Sequence, residues 1–343
     1  MANYANSLLS TAQALIADKY AKPEFRHKDY AITRILLANA DYCVENIDAL
    51  KTSDQRAVSA YALAKTASDA ATNRSYAHAA AGNGDSQVVS LSWATKAEKF
   101  KTSLKAGDRN FINAAKQLQG RIESAWINLL DTVEGVNAAY LAAQKTQVNA
   151  AGDGELGLWD EVNFAYQIAN ADENWFIQYI QSMMQINNYN GMIDFIADPV
   201  AYAKAAQLLN QGGQNALNTS FQFGNIRPSL SSSLVNEAGY KGWGYAIPEG
   251  TVGMIPWIPK ENRENTVTRL QTYTTMQDPF GLGITAALHI KETAADTNTL
   301  GGEYQDELVE YELSLDIANV KAPLSVANET TIFKAGLLSA GGN

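Results

Sequence analysis

The chain has 343 residues, enough for one large or two ordinary domains with a substantial buried core. Its formal net charge of −10 argues against a protein whose main task is to bind nucleic acid, because neutralising phosphates requires a clearly basic surface. Charged residues make up 18% of the chain, below the roughly 25% of ordinary soluble domains, and such a weakly charged polar surface suits contact with neighbouring subunits.

The single cysteine, Cys43, cannot form an internal disulfide, which suits a reducing cytoplasm. Free cysteines are usually buried, so we expect a small buried hydrophobe here rather than a reactive thiol. No segment approaches 18 uninterrupted apolar residues, and the first twenty residues lack the basic start and apolar run of a signal peptide. We therefore expect a soluble protein.

The N-terminal region combines short apolar patches with polar breaks. Residues 1–50 are interrupted by Pro23 and predict an arm with one short helix rather than a compact module. Ser53 and Asp54 then open an alanine-rich stretch that predicts a second helix.

A hairpin signal follows in the sequence "GNGD". Asn83-Gly84 readily adopts the two positive φ angles of a type I′ turn, and the residues after it place Val89, Leu91 and Trp93 on one strand face. Residues 70–105 are therefore predicted to form a projecting two-stranded arm.

The strongest periodic signal is an apolar stripe that recurs every three or four residues. Its members are Phe111, Ala115, Leu118, Ile122, Trp126, Leu129, Val133, Val136 and Tyr140. This spacing predicts a helix of about forty residues, on the order of 60 Å long. Because the stripe does not hold the strict 3.5-residue repeat of a coiled coil, we interpret it as a spine within the fold.

Glycines at 150–157 cannot continue this helix, and a small α/β layer is predicted after them. Residues 172–186 have the pattern of a helix and residues 191–198 that of a short buried strand. A further helix opens with Asp198 as N-cap and Pro199 in the first turn. Residues 219–260 are rich in Gly, Pro, Ser and aromatic residues, which predicts short irregular strands and loops.

Two alternating segments near the end of the chain predict a long antiparallel hairpin with one face on the spine helix and one face in water. The apolar faces carry Ile284, Ala286, Leu288 and Ile290, then Val309, Tyr311, Leu313, Leu315 and Ile317. The polar faces carry Thr285, His289 and Lys291, then Glu310, Glu312, Ser314 and Asp316.

The carboxylates of this hairpin are the first candidates for chemistry. Glu310 and Glu312 would stand about 6 to 7 Å apart on one strand face and could share a cation. A metal or catalytic site would need further convergent ligands, so we favour carboxylates that are solvated or that meet Lys291 and His289 across the hairpin.

Other catalytic signatures are not found in the sequence. The three histidines, His27, His78 and His289, accompany no GxSxG motif, and the glycines of 242–250 and 280–284 match no phosphate-binding pattern. We expect these glycines to serve turns and close packing.

Two clusters allow more than one interpretation. The basic residues Lys96, Lys99, Lys101, Lys105 and Arg109 lie around Phe100. They could follow a nucleic-acid backbone, but we favour pairing with acidic surface in the same or the next subunit. The aromatic residues Trp243, Tyr245 and Trp257 could line a ligand pocket, although packing within loops is the favoured interpretation.

The order of these elements resembles that of the major capsid proteins of tailed bacteriophages, which have the Hong Kong 97-type capsid fold. The stretches that carry the resemblance are "SWATKAEKFKTSLKAGDRNF", "NAAYLAAQKTQVN", "GMIDFIADPVAYAKAAQLL" and "DELVEYELSLDIANVKAPLSVANETTIFKAGLL". They are most similar to capsid proteins of crAss-like and other Bacteroidetes phages. The resemblance covers nearly the whole chain.

The resemblance implies an α+β fold with an N-terminal arm, an extended hairpin loop, a long spine helix, a peripheral sheet and an axial α/β domain. The implied divisions are 1–52 for the arm, 53–107 for a helix and the extended loop, 108–170 for the spine helix and peripheral domain, 171–283 for the axial domain, and 284–343 for the return hairpin and C-terminal tail.

The implied function is self-assembly, as hexamers and pentamers, into the icosahedral head shell around a double-stranded DNA genome. The resemblance implies no catalytic residues, no cofactor, no metal, no membrane and no sequence-specific DNA binding. The implied partners are portal, scaffold and head auxiliary or decoration proteins, with assembly in the host bacterial cytoplasm and a final location in the virion. Because there is no room for a scaffolding segment before the arm, we expect scaffolding to be a separate protein or the sequence to be mature.

Two alternatives remain open at the level of the sequence. One is the shell protein of an encapsulin-like nanocompartment, which would enclose protein rather than DNA. The other is a carboxylate-dependent metal hydrolase that uses Glu310 and Glu312.

Overall fold

The structure is a computed structural model, and it describes most of the chain. The described residues are 2–22, 28–43, 59–63, 86–103, 111–145, 158–160, 162–186, 189–211, 225–235, 237–263, 265–268, 271–293, 308–321 and 332–339.

The described residues contain five helices and two 3₁₀ turns. They are α1 (Ala2–Tyr20), α2 (Ala31–Cys43), α3 (Phe111–Gln144), α4 (Phe176–Ile186) and α5 (Pro199–Gln211), with 3₁₀ turns at Asn170–Trp175 and Lys260–Asn262. The prediction of a long helix is confirmed by α3, which has 34 residues and buries its stripe from Ala115 to Val133. The strand and the helix predicted on either side of Asp198 are also confirmed. Asp198 caps the helix as predicted, because its carboxylate accepts a hydrogen bond of 2.7 Å from the backbone N–H of Ala201.

The strands are β1 (Ser59–Leu63), β2 (Ser86–Ser90), β3 (Trp93–Ser103), β4 (Leu158–Asp160), β5 (Ala165–Ile168), β6 (Ile193–Ala197), β7 (Ile226–Leu230), β8 (Tyr240–Pro248), β9 (Val252–Trp257), β10 (Asn265–Thr268), β11 (Gln271–Gln277), β12 (Thr285–Thr293), β13 (Leu308–Lys321) and β14 (Phe333–Leu338). None of the helices within the described ranges combines the length and apolarity that crossing a bilayer requires.

The first large sheet contains the predicted C-terminal hairpin. Its strand order is β10-β11-β12-β13-β3, and β9 pairs with the second half of β13 beyond the end of β12. One face of the sheet packs on α3, where Leu288, Tyr311 and Leu313 belong to the same apolar cluster as Leu118 and Trp126. The hairpin and its apolar face are therefore confirmed.

The second large sheet has the order β4-β5-β14-β8-β6-β7. Helices α4 and α5 contribute Phe176, Ile180 and Ala201 to a second apolar cluster against it. The sheet is packed closely, because a Cβ added at Gly244 would lie 2.5 Å from the Ile196 carbonyl oxygen. The predicted α/β layer is thus present.

The N-terminal region differs from the predicted arm with one short helix. Both α1 and α2 form, and α1 packs along α3 through Leu8, Ala12 and Ile16. Their spacing is helical, but polar neighbours obscure it in the sequence, and only the surface of α3 makes their burial favourable.

The region predicted as a helix and a projecting arm also differs. Residues Ser59–Leu63 form a strand rather than a helix and pair antiparallel with Ser86–Ser90. Residues Trp93–Ser103 leave this ribbon and pair with β13, so Val89 and Trp93 do not share one strand. The predicted turn at Asn83-Gly84 lies outside the described residues.

The region 219–260 is more regular than its composition predicts, since it contains β7, β8 and β9. The sheets also cross the boundaries implied by the resemblance. Strands β9 to β11, from the segment 171–283, lie in the sheet of the C-terminal hairpin, and β14, from the segment 284–343, lies between β5 and β8. Strand pairing joins segments that are distant in sequence, and the composition of a segment does not predict which strand it will pair with.

Candidate functional site

The polar face of the first sheet carries two rows of charged and aromatic side chains. The antiparallel register aligns Tyr273, His289, Glu312 and Lys99 in one row. It aligns Gln271, Lys291, Glu310 and Lys101 in the next. Lysines thus lie on either side of Glu310, and His289 and Lys99 lie on either side of Glu312. We call the eight residues of these rows the charged face.

The two candidate carboxylates form separate ion pairs on different neighbouring strands. Glu310 lies 3.3 Å from Lys291 Nζ, and Glu312 lies 3.2 Å from Lys99 Nζ. The pairing of Glu310 with Lys291 across the hairpin is as predicted. Glu312 instead pairs with β3, while the ring of His289 stacks on Tyr273 with centroids 4.3 Å apart.

On the buried side of the same strands, aromatic packing holds the strands of this face together. Tyr311 is 2% exposed and stacks on Phe100 with ring centroids 5.0 Å apart and an angle of 9° between the planes. The stacked pair links β13 to β3 directly beneath the charged face. The charged side chains therefore project from a strand surface that the core holds in register.

One of the four predicted solvent-facing residues of β13 is buried. Asp316 is only 3% exposed, because β9 lies beside this part of the strand and pairs Trp257 with it. The prediction that Asp316 faces solvent is wrong. Sequence alternation alone cannot show that a third strand covers the second half of β13.

The basic cluster is divided by the structure. Lys99 and Lys101 lie on the charged face. Lys96 lies on the opposite face of β3, where it is half-buried beside Leu315. Lys105 and Arg109 lie outside the described residues. The pairing of Lys99 with Glu312 agrees with the favoured interpretation, in which these lysines meet acidic groups.

The charged face surrounds a shallow recess of about 550 Å³ whose walls carry both signs of charge. Across the described ranges, no three His, Cys, Asp or Glu side chains converge as a metal site would require. Each glutamate instead faces a lysine. This arrangement provides a mixed-charge contact surface, because each row carries both a carboxylate and a lysine.

Two buried carboxylates that the sequence analysis did not single out accept several hydrogen bonds within the fold. Glu134 of α3 is 1% exposed and accepts hydrogen bonds from the backbone N–H groups of Ile32 and Thr33 at the start of α2, at 3.1 and 2.9 Å. It also accepts bonds from the hydroxyls of Thr33, at 2.6 Å, and Ser231, at 3.3 Å. In the sequence, Glu134 directly follows Val133 of the apolar stripe, and this position could have indicated a buried carboxylate.

Asp278 shapes the turn between β11 and β12. Its carboxylate accepts hydrogen bonds from the backbone N–H groups of Phe280, Leu282 and Ile284, at 2.9 to 3.1 Å. Gly281 has a φ of 86°, which favours glycine. The glycines in "FGLGI" therefore serve a turn, as predicted, and this turn sets Tyr273 opposite His289.

The aromatic residues considered for a ligand pocket lie in the core. Trp243, Tyr245 and Trp257 are 7%, 2% and 4% exposed. Trp243 packs edge-on against Tyr245 with centroids 5.4 Å apart. The favoured interpretation, packing, is confirmed, although the three residues lie on strands rather than loops.

Cys43 is buried at the end of α2, as predicted. Its Sγ lies 3.2 Å from the carbonyl oxygen of Gly250, and burial raises the pKa of the thiol to about 12. At neutral pH the group is therefore a protonated, unreactive thiol.

Comparisons with known proteins identify the architecture around the charged face. Neither the scan against family models nor the comparison with curated proteins gives a match. Among solved structures, the capsid of Ralstonia phage GP4 has a TM-score of 0.51 at 7% identity, with 93% of each chain covered. The cyanophage A-1(L) capsid asymmetric unit has a TM-score of 0.45 at 13% identity, covering 88% of this chain and 91% of the other.

At 7% identity the likeness to the Ralstonia phage GP4 capsid is one of fold, and it extends over almost the entire length of both chains. The mixed helix and sheet architecture described above is therefore similar in fold to the chain of the Ralstonia phage GP4 capsid.

Proposed function

We propose that this chain is the major capsid protein of a tailed bacteriophage and assembles into the icosahedral head shell around a double-stranded DNA genome. The observation that carries the proposal is the match along 93% of both chains to the capsid of Ralstonia phage GP4. A match of that extent includes both sheets and the long helix together, rather than one common motif.

The finer features of the proposal follow the resemblance found in the sequence. In the Hong Kong 97-type arrangement, α3 is the spine helix, residues 70–105 contain the extended loop, and the sheet of β6 and β8 belongs to the axial domain. The proposed relatives are the capsid proteins of crAss-like and other Bacteroidetes phages. Hexamers and pentamers of the chain form the shell, with portal, scaffold and auxiliary proteins as partners.

The surface chemistry supports assembly rather than turnover. The charged face offers paired lysines and glutamates instead of a convergent set of ligands, and such faces favour specific contacts between subunits. The net charge of −10 would keep the inner wall from adhering to packaged DNA. The virion is therefore the proposed location, and the proposed interaction with DNA is enclosure without sequence recognition.

Negative-stain electron microscopy of the purified protein tests the proposal. We expect closed polyhedral particles or capsomers, either from the chain alone or after co-expression with a scaffolding protein. Sedimentation analysis provides the control for soluble subunits. A chain that stays monomeric under every assembly condition would contradict the proposal, and particles that exclude DNA but retain protein cargo would favour a nanocompartment shell.

A further inference from the structure

His289 lies in the charged face with one ring nitrogen enclosed and unpaired. The strand register places it between Tyr273 on β11 and Glu312 on β13, and its ring stacks on Tyr273. Its Nε2 is buried and has no hydrogen-bond partner within the described part of the chain. Nearly all buried polar atoms of native proteins are hydrogen-bonded, so this nitrogen requires an explanation.

The register also identifies the titratable groups that surround His289. The next row on one side of it carries only alanine, serine and threonine side chains. Its own row and the row on the other side carry the groups that face it from β11, β12, β13 and β3, which are Tyr273, Lys291, Glu310, Glu312, Lys99 and Lys101. An imidazolium at His289 would therefore have two carboxylates in neighbouring positions.

Glu312 is the better placed of these two carboxylates. It lies directly opposite His289 in the register, and opposite residues of antiparallel strands have Cβ atoms about 4.5 to 5.5 Å apart. Glu310 instead lies opposite Lys291, and its carboxylate is 3.3 Å from the Lys291 Nζ.

The present partner of Glu312 is easily replaced by water. The Lys99 Nζ lies 3.2 Å from the Glu312 carboxylate, but the Lys99 side chain is 76% exposed. Ion pairs between exposed side chains contribute little to stability, because water solvates both groups when they separate. Loss of this pair would therefore cost little.

Protonation changes what His289 needs from its surroundings. In either neutral tautomer one ring nitrogen carries a proton, whereas in the imidazolium both nitrogens are donors. The enclosed Nε2 then becomes a charged N–H group, which is costly to leave without an acceptor. The carboxylate of Glu312, one strand away, can supply that acceptor.

We propose that His289 and Glu312 form a proton-controlled ion pair, in which uptake of a proton by His289 draws Glu312 from Lys99 on β3 to His289 on β12. Histidine is the side chain whose charge ordinarily changes between about pH 5 and pH 8. The ring of Tyr273, stacked on the imidazolium, adds a favourable cation–π contact. The exchange changes which cation of the charged face is paired.

The exchange has a consequence for contacts with other subunits. It leaves the exposed ammonium of Lys99 available to a carboxylate outside the subunit, so the charge pattern that the charged face presents depends on pH. This consequence rests on the proposed shell function. The exchange itself takes place within one subunit and does not require assembly.

Titration of the unassembled subunit by nuclear magnetic resonance tests the exchange. The chain has three histidines, so ¹⁵N-histidine labelling gives few signals, and the variant His289→Gln identifies the signal of His289. We expect Glu312→Gln to lower the proton-binding constant of His289 about threefold, the size typical of an exposed ion pair. Circular dichroism at each pH checks that the variants remain folded.

Glu310→Gln is the matched control, because Glu310 lies on the same strand and the same face and has its own lysine. It should change the proton-binding constant of His289 clearly less than Glu312→Gln does. Equal changes for the two variants would show that His289 responds only to the overall charge of the face, and this result would overturn the exchange. An unchanged constant in Glu312→Gln would overturn it as well.

Lys99→Met tests the competition between the two cations. Removal of Lys99 frees Glu312 for His289, so the proton-binding constant of His289 should rise, with Lys101→Met as the control that leaves the pair intact. Equal rises in the two variants would contradict competition for Glu312.

The outcomes are separable from those that test the shell. Coupling between His289 and Glu312 in a chain that never assembles would support the exchange while contradicting the shell. Closed particles formed by a chain without this coupling would overturn the exchange alone.

Discussion

At the scale of single residues, burial decides how much each paired carboxylate contributes to the stability of the subunit. Glu134 and Glu312 are both paired glutamates, but Glu134 is 1% exposed whereas the side chain of Glu312 is 34% exposed. Water competes for the partners of Glu312 and is excluded from those of Glu134. The free-energy consequences of removing them should therefore differ greatly.

Glu134→Ala is expected to lower the free energy of unfolding of the isolated subunit by about 3 kcal/mol. The substitution leaves the N–H groups of Ile32 and Thr33 buried without their acceptor at the start of α2, where the helix dipole favours a negative charge. Urea unfolding followed by circular dichroism measures the change.

Glu312→Ala is the matched control and should cost less than about 1 kcal/mol, as exposed ion pairs usually do. Equal losses for the two variants would show that water replaces the Glu134 carboxylate and that burial does not distinguish the two sites.

At the scale of elements, one carboxylate links a 3₁₀ turn and helix α5 to a strand of the second sheet. Glu173, in the 3₁₀ turn Asn170–Trp175, lies 2.7 Å from Lys241 Nζ on β8 and 3.1 Å from Lys204 Nζ on α5. Hydrogen bonds from Lys241 and then Lys204 lower the pKa of Glu173 from its ordinary value. The ionised form is therefore favoured by the folded state.

This shift predicts a pH-dependent contribution to stability. A lowered folded-state pKa means that the contribution is fully present above the ordinary glutamate pKa and is lost as pH falls through the lowered value. The difference in unfolding free energy between the wild-type subunit and Glu173→Gln should be largest above about pH 5 and shrink under more acidic conditions.

Urea unfolding of both proteins between about pH 3 and pH 7 checks this expectation. Glu261→Gln, which changes an exposed carboxylate in the other 3₁₀ turn, provides the control. A wild-type advantage that is constant across this range would contradict the role assigned to ionised Glu173.

At the scale of the whole molecule, the ribbon of β1 and β2 stands apart from both large sheets. Among the described strands these two pair only with each other. The proposed shell function assigns this region to the loop that reaches over a neighbouring subunit. Folding of the subunit and assembly of the shell should therefore be separable there.

Deletion of residues 80–90 is expected to leave a folded subunit whose melting temperature changes by only a few degrees, because both large sheets and α3 are retained. Closed particles should no longer form, since the connection between capsomers is removed. Thermal unfolding and negative-stain electron microscopy of the same preparation measure the two effects. Shells at wild-type yield would contradict the assignment of this region.

Sequence pattern by itself determined the elements whose burial is periodic. The stripe from Ala115 to Val133 predicted α3, alternation predicted β12 and β13, and Asp198-Pro199 predicted the start of α5. In each case a helix or strand repeats its buried face at a fixed spacing, so local sequence contains the information. The ion pair between Lys291 and Glu310 followed from the same alternation.

Only the tertiary structure decided which segments come together. It paired β3 with β13, so that Lys99 rather than His289 meets Glu312, and it placed β9 beside Asp316 in the sheet. It also buried Glu134 against the first turn of α2 and set β14 between β5 and β8. These contacts join residues far apart in the chain, and their free energy depends on surfaces that exist only after the sheets have formed. The periodicity of a single segment specifies its buried face, but it does not specify the partner that covers that face.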